Sequence, residues 1–385
     1  MNFVAISPHF PPNFYPFWIN LRHLGVNVLG LADSSYDEME HQLKNALTEY
    51  YRVFNATNYD EMLRALGYFT HRYGKIDRLE SHNEFWLESD ARLRTDFNIP
   101  GFHLVDMPRV KRKSVMKTVY NQCGIPVARG KVIHTLEKAR RFTDEIGFPI
   151  VAKPDIGVGA NKTYRLSNYS ELSEFFAAKP AIDYIFEEFI PGDIVTYDGL
   201  VDQNGQIVFN SSMRYSEGVM DSVNKSSDVW YYIERHVPDD LDAYGRKLVA
   251  AYNLRERFFH FEFFRNPDGK IYGLEVNMRP PGGMTTDMWN FANDFDIYKE
   301  YANLVVHNRF DSEIKRSYYC AYVSRRLNKS YLHSLDEVLS TFPTQIIHHE
   351  YISGIFSAAL GDFGFLVRTP HFEELEVIAH WILEC

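Results

Sequence analysis

The sequence predicts an α/β protein in three parts: a parallel α/β domain, a small α/β lobe, and a larger lobe built on an antiparallel sheet. Three observations predict it. Short apolar strands alternate with helical segments as far as Pro100-Gly101. Two more strand–helix alternations follow between Pro126 and Phe186. From Glu187 onward strand and turn signals dominate. A length of 385 residues exceeds one simple core and suggests two or three domains. The expected divisions are 1–108, 109–186 and 187–385.

Taken in order, FVAIS at Phe3 to Ser7 is a buried-type strand, followed by a proline-rich loop at Pro8 to Pro12 and an apolar helix over Phe17 to Leu24. That loop lies at the C-terminal end of the first strand, where open α/β sheets place ligands. A strand at Val26 to Leu31, another at Tyr50 to Asn55 and a helix over Tyr59 to Tyr73 continue the alternation. The segment KIDRLESHNEF is expected to open a helix that runs to about Phe97. A basic helix over Arg109 to Gln122 stops at Cys123-Gly124-Ile125-Pro126. The small lobe reads as KVI at Lys131, a helix through Glu145, a strand in FPIVAKP and a helix from Ser170 to Ala178. Beyond it come TYDGLVD, a turn at Asn204-Gly205 and QIVFNSSMRY. The stretch from Glu217 to Asp228 has no periodicity and is expected to be a long binding loop that is mobile without ligand. A helix from Asp239 to Tyr252, a hairpin, a helix from Asp287 to His307 and a mixed α/β tail complete the chain.

Composition removes several function classes. A net charge of −10 argues against a general nucleic-acid binder, although a local basic site remains compatible with it. Cys123, Cys320 and Cys385 are odd in number and lack CxxC spacing, so zinc and redox-pair chemistry are not indicated and a reduced, cytoplasmic setting is expected. The N-terminus has no basic region followed by an apolar core, and no apolar run reaches bilayer-spanning length, so no membrane association is expected.

The hairpin from Phe259 to Gly283 carries the strongest chemical signal. Its two apolar runs read as strands joined at Asn266-Pro267-Asp268-Gly269. Reflection through that turn brings Glu262 within about one residue of facing Glu275, and Asn277 shares the face of Glu275 because side chains alternate. Three hard oxygen donors therefore converge, as Mg²⁺ requires when it bridges a protein to phosphates. Arg279 follows directly, placed to stabilise charge on a transferring phosphoryl group.

Other groups complete a nucleotide site. Lys113 and Lys117 lie one helical turn apart and point the same way, a spacing that a solvated basic face also explains. Lys153 ends an apolar strand, and the glycines at Gly157 and Gly159 allow backbone N–H groups to approach anionic oxygens. This loop matches neither GxxxxGK[ST] nor GxGxxG. Phe186-Glu187-Glu188-Phe189-Ile190-Pro191-Gly192 suits a hinge whose backbone and one carboxylate read adenine, and reads equally as an edge strand entering a turn.

In this order the pieces resemble the ATP-grasp superfamily over roughly Phe97 to Val306. Lys113-Ser-Val-Met-Lys117 is similar to its phosphate-lysine helix, and Val151-Ala152-Lys153-Pro154 to the segment of its second nucleotide lysine. Asp155 to Lys162 is similar to its mobile cover, Glu187 to Gly192 to its adenine hinge, and HFEFF with LEVNMRP to its two-metal strand pair. The resemblance implies an ATP site between a small lid lobe and the C-terminal lobe. Lys113, Lys153, Gly157, Gly159, Glu187, Glu188, Phe189 and Asp193 would hold the nucleotide, and Glu262, Glu275 and Asn277 would hold Mg²⁺ or Mn²⁺. Lys153 and Arg279 would act in catalysis. Many relatives carry a carboxylate two residues after the hinge glycine, where this chain has Ile194, so Asp193 is the candidate replacement at the ribose.

The implied activity is an ADP-forming ligation, in which a small carboxylate is activated as an acyl phosphate for attack by an amine or similar nucleophile, giving an amide or peptide bond. No GxSxG is present and Cys123 has no evident base, so no nucleophilic side chain is indicated. A carboxylase, a kinase and a non-catalytic nucleotide-binding regulator are the alternatives. Biotin carboxylases carry a catalytic Glu shortly after the arginine, whereas Arg279 is followed by Pro280-Pro281-Gly282-Gly283-Met284. Arg214, His82, Glu84, Gly282 and Gly283 are the substrate-side candidates, the first three of which fit structural roles as readily. Strand–helix tails like Gly361 to Glu384 sometimes contact a second subunit in such ligases, which suggests a homodimer.

Overall fold

Strand β1 (Asn2–Ile6) is buried along its whole length, as its unbroken apolar run requires of a central parallel strand. It pairs in parallel with β2 (Asn27–Ala32) on one side and β4 (Arg78–Glu80) on the other, and β3 (Glu49–Arg52) extends the sheet beyond β2. The computed structural model describes residues 1–157, 162–215, 228–352 and 354–385, and of Ile355 the backbone alone. The helix Tyr59–Tyr73 covers one face of this sheet with Met62, Ala65, Leu66 and Phe69, the i, i+3, i+4, i+7 stripe of an amphipathic helix. Asn58 caps its start by accepting from the Asp60 N–H, and Gly74, at φ 83°, ends it.

The second sheet has four antiparallel strands in the order β5 (Gly130–Val132), β8 (Tyr184–Glu188), β6 (Ile150–Pro154) and β7 (Tyr164–Leu166). The helices Leu136–Ile146 and Tyr169–Ala178 pack on it through Phe142, Leu172 and Phe175. The third sheet is antiparallel and contains nine strands among the described residues. Those that build the site are β9 (Asp193–Val201), β13 (Arg257–Arg265) and β14 (Ile271–Asn277), in the order β14-β13-β9 at one edge. On one face Phe259, Phe261, Phe263 and Tyr197 pack into an apolar core with the helix Asp239–Ala251, which leaves the alternate residues for the opposite face.

Three expectations are corrected. The basic helix is two helices, Met107–Lys111 and Lys113–Gln122, broken at Arg112 in an extended conformation. The break has a cause: the buried Asp155 carboxylate, at the end of β6, accepts from the Ser114 N–H at 2.8 Å and from Ser114 Oγ at 3.0 Å, giving the second helix its N-terminal cap. The helix expected over Asp287 to His307 divides into Thr285–Asn293 and Ile297–His307, with Asp294 left-handed and Asp296 capping the second piece. The segment KIDRLESHNEF contains strand β4 ahead of the helix Leu87–Phe97, and its charges hid the strand. Those charges are buried in pairs. Glu80 accepts from Arg94 at 2.9 Å and from Arg257 of β13 at 2.7 Å, and Arg78 pairs with Glu256, so the first domain is fastened to the base of the hairpin.

Candidate active site

Glu262 on β13 stands directly opposite Glu275 on β14, and His260 stands opposite Asn277. Since β13 also pairs with β9, Thr196 faces Glu262 and Asp198 faces His260, so two adjacent rows of polar side chains cross the open face of three strands. The ladder turns through Asn266, whose N–H donates to Lys270 O at 3.0 Å and whose carbonyl accepts from the Gly269 N–H at 2.9 Å.

Behind Glu262 lies a buried support. His260 contacts Glu262 Oε1 through Nε2 at 3.0 Å and Asp198 Oδ1 through Nδ1 at 2.6 Å, while Thr196 Oγ1 donates to Asp198 Oδ2 at 2.6 Å. Burial disfavours the imidazolium, but Asp198 and Glu262 outweigh it and lift His260 to about 9. Burial alone would raise Glu262; the His260 hydrogen bond prevails and holds it below the usual carboxylate range. The site therefore presents ionised oxygen on a positioned side chain. Neither His260 nor Asp198 was singled out from the sequence, although alternation places both on the face of Glu262.

The helix Lys113–Gln122 runs against the β14 edge because Gly273 leaves room for the ring of Tyr120. A Cβ at Gly273 would lie 2.4 Å from that ring. The Tyr120 hydroxyl donates to Glu275 O at 3.0 Å, and the Gly273 N–H donates to Pro126 O at 2.7 Å. Docked this way, and capped by Asp155, the helix delivers the buried Lys113 Nζ to Glu275 Oε1 at 2.9 Å and Gly157 O at 3.0 Å.

One turn later Lys117 reaches the second sheet. Its Nζ lies 2.8 Å from Glu187 Oε1 and donates to Ala128 O at 2.9 Å, while Lys153 Nζ lies 2.8 Å from Glu187 Oε2. Glu187 is thus a buried carboxylate between two buried lysines. Burial pushes its carboxyl up, Lys153 and Lys117 pull it down harder, and it sits at about 2. Burial lowers the Lys117 pKa in spite of Glu187. Lys113 and Lys117 consequently go to different carboxylates, Glu275 and Glu187.

The remaining candidates fall in several places. Arg279 donates to Pro280 O at 2.8 Å, and its Nε is 3.8 Å from Glu84 Oε2, which accepts no hydrogen bond. Burial raises the Glu84 carboxyl against the pull of Arg279. His82 is packed among aromatic rings, 4.5 Å from Phe17 and 5.4 Å from Trp18 between ring centres, and burial drops it to about 4. Arg214 and Asp193 pair with each other at 2.8 Å. The Glu188 carboxylate accepts from Arg129, and the Arg165 guanidinium lies 4.4 Å over the Phe189 ring. Both hinge carboxylates have partners, and the Glu188 N–H donates to Arg129 O at 2.9 Å. Gly282 and Gly283 continue from Arg279, and the Gly283 carbonyl accepts from Asn13 Nδ2 at 3.1 Å. Gly159 and the loop from Glu217 to Asp228, except Asp228, lie outside the described residues.

Asn277 bears on the fit of a divalent ion. It is buried beside the carboxylate pair, and its amide nitrogen has no partner among the described residues. Among the described residues no three His, Cys, Asp or Glu side chains form a metal cage. Two carboxylates and an amide form the donor set that Mg²⁺ uses when phosphates complete its shell.

Residues 146–287 match the model of the ATP-grasp domain. The chain is 22% identical over 245 residues to the L-arginine-specific L-amino acid ligase of Bacillus subtilis, a stretch covering 61% of this chain and 59% of that protein. It therefore spans less than two thirds of this relative's length. An L-amino acid ligase from Bacillus licheniformis superposes with a TM-score of 0.76 at 16% identity, covering 98% of this chain and 96% of that one. N5-carboxyaminoimidazole synthetase from Staphylococcus aureus, in complex with ADP, gives 0.74 at 14% identity, covering 100% and 97%. The fold is that of the ATP-grasp enzymes. Residues 146–287 match an ATP-grasp domain, and the likeness to the solved ligases extends that fold over the whole chain.

Proposed function

We propose that the chain is an ADP-forming ligase that joins a small carboxylate to an amine at the expense of ATP. The observation that carries this reading is the register of Glu262 opposite Glu275, with Asn277 ending the same strand, Arg279 two residues beyond it and Lys113 held on Glu275. The substrate classes named for the similar L-amino acid ligases agree with it.

In this reading Glu262, Glu275 and Asn277 would hold Mg²⁺ or Mn²⁺, which would supply charge neutralisation for the ATP phosphates. Lys153 binds the phosphates from the second sheet, and Lys113 and Lys117 bind them from the helix. The hinge backbone at Glu187 to Ile190 meets adenine. A substrate carboxylate oxygen attacks the γ-phosphorus and ADP leaves. The amine nitrogen then attacks the acyl carbon of the resulting acyl phosphate, expels phosphate and gives up a proton. Arg279 steadies the transferring phosphoryl group, and the rest is positioning and charge neutralisation. Glu84, next to Arg279, faces the substrates from the first domain.

The test is incubation with Mg·ATP and pooled amino acids, small carboxylates and amines, with ADP and phosphate quantified and products weighed by mass spectrometry. Equal ADP and phosphate with a new mass equal to acid plus amine minus water is expected. ADP without phosphate, together with a phosphorylated product, would identify a kinase and overturn the proposal.

A further inference from the structure

A cavity of about 550 Å³ opens between the Pro11–Pro16 segment and the C-terminal lobe, where Gly283 forms part of its wall. Its lining is largely apolar, with Tyr15, Met284, Phe291 and Phe356 as the bulky members. The Phe356 ring stacks on Phe10 at 5.0 Å, which closes the helix Gly354–Leu360 onto the loop after β1.

The charged groups in this cavity are mainly acidic. Asp287, Glu350 and Glu40 line it, and neither Lys nor Arg does so among the described residues. His348 is the basic group present, and it is already 3.4 Å from Glu350. Asp287 is held by neutral donors, Asn13 Nδ2 on Oδ2 at 3.0 Å and the Tyr298 hydroxyl on Oδ1 at 2.8 Å, so its position is fixed while its charge has no cationic partner in contact among the described residues. Burial pushes its carboxyl above the usual range, the direction expected of a carboxylate short of a counter-charge. Asn13 also holds the Gly283 carbonyl, so the same side chain ties Asp287 to the end of the run that follows Arg279.

An anion entering here would meet like charge, and a small polar molecule would leave the aromatic walls unfilled. A cation with an apolar body satisfies both surfaces. We infer that this cavity binds one substrate of the ligation, recognised as a primary ammonium carried on an apolar body the size of an aromatic ring, with Asp287 and Glu350 facing the ammonium. The inference rests on the ligase reading for the word substrate, but not for the site.

The test is calorimetric titration of the full chain without nucleotide, using phenethylamine, 3-phenylpropionate and ethanolamine as probes. Phenethylamine is expected to bind, with 3-phenylpropionate and ethanolamine each at least roughly tenfold weaker, since each lacks one charge-assisted or apolar contribution. Asp287→Asn, which preserves shape, is expected to weaken phenethylamine about tenfold, and Glu350→Gln, at an exposed position, to weaken it a few-fold. Equal binding of 3-phenylpropionate, indifference to both substitutions, or no phenethylamine binding would overturn the inference. ADP formation is scored separately. ADP release without phenethylamine binding rejects the cavity and leaves the ligase, whereas binding without ADP release for any pool rejects the ligase and leaves the site.

Discussion

Glu262 and Glu275 are cross-strand partners, and the register slips by one residue immediately after Glu262. The facing carboxylates lie on the side of this irregularity away from the turn, next to the His260–Asn277 pair. Glu275→Gln keeps the shape and removes the charge, so ADP formation is expected to fall by about 10² or more, the scale for losing one transition-state charge stabiliser. Steady-state ADP release and a thermal melt check it. Turnover within a few-fold of wild type, in a folded variant, would reject the metal assignment.

His260 holds Glu262 from behind, as outer partners of metal ligands do. His260→Gln is expected to raise the Mg²⁺ concentration needed for half-maximal ADP formation by about 10- to 100-fold while leaving the KM for ATP at saturating Mg²⁺ nearly unchanged. A Mg²⁺ titration of activity separates this from a general loss of fold, which would lower the amplitude without moving the midpoint.

Glu187 gives an acid-side signature. Its folded pKa of about 2 lies below the ordinary value of 4.5, so its ionised form stabilises the fold. That contribution is complete above the unfolded pKa and is lost as pH falls from about 4.5 towards 2. Glu187→Gln is expected to flatten stability across that window and to cost about 3–5 kcal/mol near neutrality, because two buried lysines lose their partner. Chemical denaturation at a series of pH values reads both effects.

Gly273 and Tyr120 test the docking of the lysine helix. A methyl group at residue 273 has to displace the Tyr120 ring, so Gly273→Ala is expected to destabilise by about 1–3 kcal/mol, as overpacking does. The KM for ATP should rise with it, since Lys113 and Lys117 ride on that helix. A melt together with a KM measurement checks this, and an unchanged KM would show that the helix keeps its place by other contacts.

Much of the fold was legible in the sequence where one rule governed a long segment. Reflection through Asn266-Pro267-Asp268-Gly269 was enough to bring Glu262 within about one residue of Glu275, the register slip beside Glu262 fixing the rest, and the apolar run of β1 was enough for a buried parallel strand. What stayed hidden depended on partners distant in the chain. Strand β4 looks polar because Arg78 is read without its partner Glu256, and Glu80 without its partners Arg94 and Arg257. The break at Arg112 follows from Asp155, more than forty residues away in sequence. The second hinge carboxylate pair, Glu188 with Arg129, and the isolation of His82 among Phe17 and Trp18 are likewise consequences of packing that spacing alone does not contain.

Lys113 sits on Glu275 and on the Gly157 carbonyl, so a side-chain ammonium occupies one of the oxygens assigned to the metal. Arrival of a metal–nucleotide complex is then an exchange of partners, in which Glu275 passes to the divalent ion as Lys113 passes to a phosphate. Either ligand alone strands one member of the pair. The two should accordingly enter with positive thermodynamic coupling, each tightening the other, and free ADP or free metal should meet a protein that answers its own charge.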